Sequence, residues 1–311
     1  MNTLVTGGAG FIGSHLVDKL LDNGHKVVCV DNFLLGTKDN LSDAMKSPMF
    51  KLYEFDLLDL KRLDLLFQKK NFDMVYHLAA NSDIQRGIKS TDTDLNLTFL
   101  ITYNVLECMR KHNTRKILFT SSPTVFGNHD VALTEDLPMK PESLYGASKL
   151  ASEAYIRAFS TLYGIQSWVL RLSNMVGERT THGILFDFVK KVKKNKEELI
   201  VLGDGNQFKP YMYVGELIDC MLFVVDNANK QFNIFNVGPK DGVKVSTIAK
   251  IFLEYFGEGQ KIKYTGGLTG WKGDVPFYSH NSEKLNRLGW EPKLSSEAAI
   301  RKAVDRIKET I

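Results

Sequence analysis

The sequence predicts an α/β protein built on a doubly wound parallel sheet. Three observations predict it. Apolar β-type runs alternate with segments of helical periodicity through the first half of the chain, a glycine-rich turn joins the first run to the first helix, and the acids Asp31 and Asp56 close the second and third runs. Alternation of this kind folds as a parallel sheet covered by helices.

The first βαβ unit is the most explicit. Asn2 to Thr6 is a short apolar run, followed by T-G-G-A-G-F-I-G from Thr6 to Gly13. Ser14 to Asn23 carries Leu16, Val17, Leu20 and Leu21 at helical spacing; Gly24 ends that helix, and Lys26 to Val30 is the second run. Gly7 permits the tight turn, Gly10 lets a pyrophosphate approach the backbone, and Gly13 lets the helix pack close to the sheet. The helix start then offers free N–H groups and a positive dipole end to phosphates. Asp31 suits the adenosine ribose hydroxyls and repels a 2′-phosphate, which favours NAD over NADP.

Beyond Asp31, residues 32–48 read as a polar loop with a short helix. Phe50 to Phe55 is a third strand ending at Asp56, an acid placed to accept from an adenine amino group, to cap a helix over Leu57 to Lys69, or to do both. Met74 to Leu78 is a fourth strand running into H-L-A-A, where small residues leave room for a cofactor; His77 reads as a half-buried structural histidine. Thr93 to His112 is predicted as one long helix and Lys116 to Thr120 as the fifth strand. That strand ends in S-S-P-T-V-F-G, and Y-G-A-S-K later opens a helix through Ala158. Tyr145 and Lys149 stand one turn apart on one face of that helix. An ammonium beside a phenol favours the phenolate, lowering a pKa of about 10. Such a tyrosine can take a proton from a sugar hydroxyl while hydride leaves the same carbon, with Ser122 orienting that hydroxyl.

Composition narrows the class. The chain has 311 residues, a net charge of +4, 43% hydrophobic and 24% charged residues, the profile of a soluble globular protein of one or two closely packed domains. Lys190 to Lys196 reads as a solvated helix face, so no nucleic-acid partner is expected. Cys29, Cys108 and Cys220 lack metal or disulfide spacing and read as reduced core residues, pointing to a cytoplasmic protein with no metal site. The chain opens directly into a strand and has no apolar run of membrane-spanning length, so neither a signal peptide nor a membrane partner is expected.

These motifs make the chain resemble the extended short-chain dehydrogenase/reductases, in the nucleotide-sugar epimerase group typified by UDP-glucose 4-epimerase. T-G-G-A-G-F-I-G-S-H, Asp31-Asn32, Asp56-Leu57, H-L-A-A, S-S-P-T-V-F-G and Y-G-A-S-K carry the resemblance. So do R-L-S-N (171–174), G-D-G-N-Q (203–207), G-D-V-P (273–276) and L-G-W-E-P (288–292). It implies a Rossmann domain over 1–173 with a return segment near 204–231, and a smaller α/β nucleotide-sugar-binding lobe over 174–203 and 232–311. It implies catalysis by Ser122, Tyr145 and Lys149. Cofactor contacts are implied for Gly7, Gly10, Phe11, Ile12, Gly13, Asp31, Asn32, Asp56, Leu57, Leu78, Ala79 and Ala80, besides Tyr145 and Lys149. Thr124, Asn174, Lys209 and Lys272 are the implied substrate contacts. A homodimer or higher homo-oligomer, paired through the two long helices, is implied as well.

The departures concern mainly the substrate. Thr98 stands where the family usually has Asn, with Asn96 two residues earlier. Lys209 replaces a nucleotide-contacting arginine, keeping the charge but not the bidentate fork. Trp271 and Lys272 precede Gly273 where a second arginine is usual. Pro123 and Thr124 occupy the positions where 4,6-dehydratases carry Asp-Glu, which disfavours dehydration. The expected reaction is C4 epimerisation through transient oxidation, in hexose or polysaccharide metabolism. The alternatives are a net C4 dehydrogenase of a nucleotide sugar, for example a GDP-sugar, and a non-catalytic NAD-binding protein.

Overall fold

The computed structural model describes residues 1–270 and 275–310. Its chain contacts divide into two compact units, one of residues 1–127, 139–171 and 218–235, the other of 128–138, 172–217 and 236–311.

The first unit is ordered by a parallel sheet, as the alternating pattern predicts. Its strands are β1 (Asn2–Thr6), β2 (Lys26–Asp31), β3 (Phe50–Glu54), β4 (Met74–His77), β5 (Lys116–Ser121), β6 (Gln166–Leu172) and β7 (Phe232–Val237). The spatial order is β7-β6-β5-β4-β1-β2-β3, and the pairings β1–β2, β2–β3, β1–β4, β4–β5 and β5–β6 are all parallel. The order reverses between β1 and β4, and a sheet of this kind binds ligands beyond the carboxyl ends of its strands at such a reversal.

Helices α1 (Phe11–Asp22), α2 (Leu60–Lys69), α3 (Ile84–Lys89), a continuous helix α4 over 92–111 and α5 (Leu144–Tyr163) connect these strands. Strand side chains alternate between faces. Leu4, Val28, Val30, Val75, Ile117, Phe119 and Val169 meet Leu63, Leu66, Phe67, Val105, Leu106, Met109, Ile156 and Phe159 in one buried core. Each such side chain withdrawn from water contributes roughly 1.5–3 kcal/mol, so this face specifies how α2, α4 and α5 sit on the sheet.

Several local expectations change. The helix after Asp56 begins at Leu60 with Asp59 as its cap, accepting from the Arg62 amide at 3.1 Å. Asp56 instead accepts from the Leu58 amide and the Asn32 side chain, so the capping alternative fails. The long helix is not uniform: Leu95–Leu100 is a π segment between α-helical turns. The wider turn leaves the Leu97 carbonyl to accept from the Asn81 amide at 3.0 Å, and Thr98 Oγ1 lies 3.2 Å from the same amide. Thr98 is thus a buried acceptor for the chain leaving β4, whereas Asn96 reaches only toward Asp92 at the surface.

His77 is fully buried rather than half-buried. Its Nδ1 lies 2.7 Å from Thr6 Oγ1 and its Nε2 2.9 Å from Thr102 Oγ1, with the Phe119 ring stacked beside it. It ties β1 and β4 to α4. All three cysteines are buried free thiols, pushed up by desolvation and poorly suited to nucleophilic chemistry. No helix among the described residues is long and apolar enough to cross a membrane.

The second unit is a smaller α/β body. Glu198–Val201 pairs in parallel with Lys261–Tyr264, Asn174–Val176 with Tyr211–Tyr213, and Phe208–Lys209 antiparallel with Val243–Lys244. Helices Ile184–Lys194 and Val245–Phe256 meet through the edge-to-face pair Phe188–Phe252 at 5.5 Å. Segment 128–138 belongs here because Leu133 donates to Ser279 O and accepts from the Asn281 amide.

Burial drives the His77 pKa down to about 3, and the nearby Lys149 charge adds to the shift. Between pH 6.5 and 3 the unfolded chain therefore binds the proton that the folded one refuses. Each unit of acidification in that window should remove about 1.4 kcal/mol of stability through this group alone. The slope of unfolding free energy against pH should be flatter in His77→Gln than in the parent; equal slopes would show that His77 carries no such penalty.

Candidate active site

The turn after β1 has little freedom. Gly7 adopts φ +70°, a left-handed conformation costly for other residues, and its amide donates to Val30 O at 2.8 Å. A Cβ on Gly7 would fall 2.7 Å from the Ala79 amide nitrogen, and one on Gly13 would fall 2.2 Å from Gly7 O. The turn, the end of β4 and α1 therefore touch backbone to backbone.

The other side of the turn is open. Gly10 is the N-cap of α1 and supplies no side-chain acceptor, no acid stands in the first turn, and a Cβ there would meet only Gly7 O at 3.3 Å. The amides of Phe11, Ile12 and Gly13 have no intrahelical acceptors and lie at the positive end of the helix dipole. Gly7, Gly10, Phe11 and Ile12 are partly exposed, as are Leu78, Ala79 and Ala80 at the end of β4.

Asp31 closes β2 and braces the same turn. Its Oδ2 accepts from the Ala9 amide at 2.9 Å and its Oδ1 from the Phe33 amide at 2.8 Å. Burial raises its pKa while these amides oppose the shift. Each oxygen keeps a further lone pair. Asn32 donates to Asp56 Oδ2 at 2.9 Å, joining the ends of β2 and β3, and the buried Leu57 gives its carbonyl to Asn104. An uncapped helix start, a glycine cradle and an acid at the second strand end fit the pyrophosphate and ribose of a dinucleotide.

Ser122, Thr124, Tyr145 and Lys149 are brought together at the end of β5. Ser143 caps α5 by accepting from the Gly146 amide at 3.0 Å. A Cβ on Gly146 would fall 2.5 Å from Thr124 O, so only glycine lets the helix start press against the Ser122–Thr124 turn. Ser122 Oγ accepts from Thr124 Oγ1 at 3.0 Å and lies near enough to Tyr145 to favour its phenolate. One turn on, Lys149 is buried, donates to Thr120 O at 2.7 Å, and holds its ammonium 4.7 Å from the Phe119 ring centroid and 5.8 Å from that of Tyr145.

The electrostatics correct the simple expectation for this pair. Burial pushes Tyr145 up to about 12, with Ser122 opposing, and pushes Lys149 down to about 7. Desolvation is the largest cause of both shifts, and the Asp94 charge adds to that of Tyr145. Lys149 thus titrates near neutrality, where a small change in surrounding charge changes its state.

Sequence reasoning missed the buried ion pair behind this cluster. Glu153, one turn beyond Lys149, accepts from Arg171 Nε at 3.0 Å and Nη2 at 2.7 Å and from Ser121 Oγ at 2.5 Å. This joins α5 to β5 and β6. The signal was an arginine inside the apolar run W-V-L-R-L, since a charge in a central strand requires a buried partner.

In the second unit, Asn174 donates through Nδ2 to Tyr278 OH at 2.9 Å and to Pro210 O at 3.2 Å. Lys209 lies partly exposed in the short ladder with Val243–Lys244. Lys272 falls outside the described residues.

The model of the NAD dependent epimerase/dehydratase family matches residues 3–238. A putative UDP-glucose 4-epimerase of Methanocaldococcus jannaschii is 34% identical over 311 residues, covering 98% of each chain. The crystal structure of Thermotoga maritima UDP-glucose 4-epimerase with UDP-glucose superposes at a TM-score of 0.90 with 31% identity, covering 100% of this chain and 99% of that one. The Thermus thermophilus UDP-glucose 4-epimerase complex with NAD gives 0.89 with 28% identity and full coverage of both chains. With the glycine turn, Asp31 and the Ser122–Tyr145–Lys149 cluster in place, this chain belongs to the NAD dependent epimerase/dehydratase family, and its cofactor is NAD.

Proposed function

We propose that this protein is an NAD-dependent 4-epimerase of a nucleotide-diphosphate sugar, and that the sugar is carried on uridine diphosphate. The convergence of Ser122, Tyr145 and Lys149 at the end of β5, with Gly146 pressed onto the Thr124 carbonyl and Lys149 buried one turn behind Tyr145, is the observation that carries the reading. The likeness to the Thermotoga enzyme bound to UDP-glucose supports the choice of nucleotide.

In this reading the amides of Phe11, Ile12 and Gly13 hold the pyrophosphate of NAD, Asp31 and Asn32 its ribose, Asp56 and Leu57 its adenine, and Leu78 to Ala80 line its path. Bound NAD supplies reversible hydride acceptance at C4, which no side chain can supply. Tyr145 takes the proton of the C4 hydroxyl in its deprotonated form, which the positive charges of Lys149 and of the oxidised nicotinamide would favour against the raised pKa of the free site, and Ser122 and Thr124 orient that hydroxyl. Lys149 stabilises the phenolate. After the 4-keto sugar presents its other face, Tyr145 returns the proton to the C4 oxygen, so no net oxidation occurs. Pro123 and Thr124 have no carboxylate to abstract or donate at C5 and C6, which disfavours dehydration. Asn174, Lys209 and Lys272 are the proposed substrate contacts of the second unit.

We propose further that the protein is a homodimer paired through α4 and α5. Leu95 and Tyr103 on α4, and Tyr155, Leu162 and Tyr163 on α5, are exposed large apolar side chains, and Tyr155 packs edge-to-face on Phe99 at 4.9 Å. An apolar stripe of this extent is covered in most soluble proteins.

Incubation with UDP-glucose or UDP-galactose, read by proton NMR, should yield the C4 epimer with no lasting absorbance of reduced cofactor. Stoichiometric accumulation of NADH would exclude the epimerase. Tyr145→Phe should lose about 10²–10⁴-fold in kcat while retaining NAD, the range of one general base; unchanged turnover would remove Tyr145 from that role. Light scattering should give the mass of a dimer, and Tyr155→Glu combined with Leu162→Glu should give a monomer; a monomeric parent protein would rule out the pairing.

A further inference from the structure

Among the described residues, the Asp, Glu, Lys and Arg side chains that are buried are Asp31, Asp94, Glu153, Lys149 and Arg171. Asp31 braces the glycine turn through the Ala9 and Phe33 amides. Glu153 and Arg171 neutralise each other through two hydrogen bonds. Lys149 and Asp94 remain, one cation and one anion.

Asp94 sits in the first turn of α4 at 1% exposure. Its Oδ1 accepts from Asn81 Nδ2 at 2.8 Å, and its Oδ2 is buried with no hydrogen-bond partner. Space around that oxygen is tight, since a Cβ on Gly87 of α3 would fall 1.9 Å from it. A carboxylate oxygen withdrawn from water with no donor is costly unless a nearby positive charge compensates it. The 92–94 turn packs against α5. Burial raises the Asp94 pKa, with the Asn81 hydrogen bond and the Lys149 charge opposing; Asp94 in turn favours the Lys149 ammonium and opposes the Tyr145 phenolate.

We propose that Asp94 is a positioning residue for the proton chemistry of Tyr145, its carboxylate serving as the counter-charge that keeps Lys149 an ammonium behind the tyrosine. The inference rests on the reading of Tyr145 as the base. Glu153 also favours the Lys149 ammonium, and more strongly, but its charge is cancelled by Arg171. Without Asp94 the buried cluster of Lys149, Glu153 and Arg171 would carry a net positive charge. Asn81 holds the carboxylate in place, and Thr98 and the Leu97 carbonyl hold the Asn81 amide. The charged groups that act on Asp94 are Lys149 on α5 and Asp83 at the start of α3, and Asp94 in turn acts on Tyr145 of α5. Asp83 is exposed, and burial keeps His77 neutral.

Removing the carboxylate charge lowers the proton affinity of Lys149 and of Tyr145 together. In NAD-bound full-length protein, Asp94→Asn should therefore move both limbs of the kcat–pH profile to lower pH by roughly half a unit or more. A merely structural loss would reduce turnover at every pH without moving the limbs. The ultraviolet absorbance of phenolate formation, with Tyr145→Phe as the subtracted reference, should show the Tyr145 midpoint shifted the same way without any turnover. Should Asp94→Asn not accumulate folded, Asp94→Ser, which leaves room for water, carries the same expectation. An unmoved midpoint and unmoved limbs in the folded variant would overturn the role of Asp94. Unchanged turnover in Tyr145→Phe would instead overturn the reading of the base, and the absorbance titration would still report whether Asp94 acts on Tyr145.

Discussion

Burying the Lys149 amine at the end of β5 is the constraint on which the rest of the site depends. An ammonium withdrawn from water is unfavourable unless acceptors and opposite charge surround it. Thr120 gives it a carbonyl, Phe119 and Tyr145 give it ring faces, and Glu153 and Asp94 give it negative charge. The partners come from three elements, β5, α5 and α4, which can sit together in few other ways. The desolvated lysine titrates near neutrality, a useful place for a group meant to respond to a neighbouring proton transfer.

The same economy governs the glycine turn. Gly7, Gly13 and Gly146 stand where two backbones approach too closely for a side chain, and these contacts bring the helix starts of α1 and α5 to the carboxyl edge of the sheet. One start is left uncapped and open, suited to an anion; the other is capped by Ser143 and pressed onto the Ser122 turn. Two helix N-termini on one sheet edge thus take different tasks through the presence or absence of one cap.

Behind that edge lies a continuous polar layer inside an apolar core. Thr6, His77 and Thr102 are linked ring to hydroxyl, Ser152 reaches Thr102 at 3.4 Å, and Asn81 joins the chain after β4 to the π segment of α4. Buried polar groups satisfied in this way define one arrangement, because any shift of α4 or α5 would leave several of them unpaired at once. The π segment fits this layer: its wider turn places the Leu97 carbonyl where Asn81 needs an acceptor.

Much of this protein was legible in the sequence because its signals are local. Strand and helix periodicities, the glycine turn and the spacing of Tyr145 and Lys149 act over a few residues, and the parallel doubly wound sheet follows from their alternation. What only the tertiary structure decided concerns groups far apart along the chain. Asp59 rather than Asp56 caps α2, and His77 is wholly rather than half buried, since both depend on how neighbouring elements pack. The proton affinities of Tyr145 and Lys149 also moved against the simple pairwise expectation. A tyrosine and a lysine one turn apart on an isolated helix attract through water; under the sheet edge Lys149 is buried and Tyr145 partly so, and desolvation is the larger effect. Asp94 shows no motif at all, because what distinguishes it is the absence of solvent, a property that only the folded chain has.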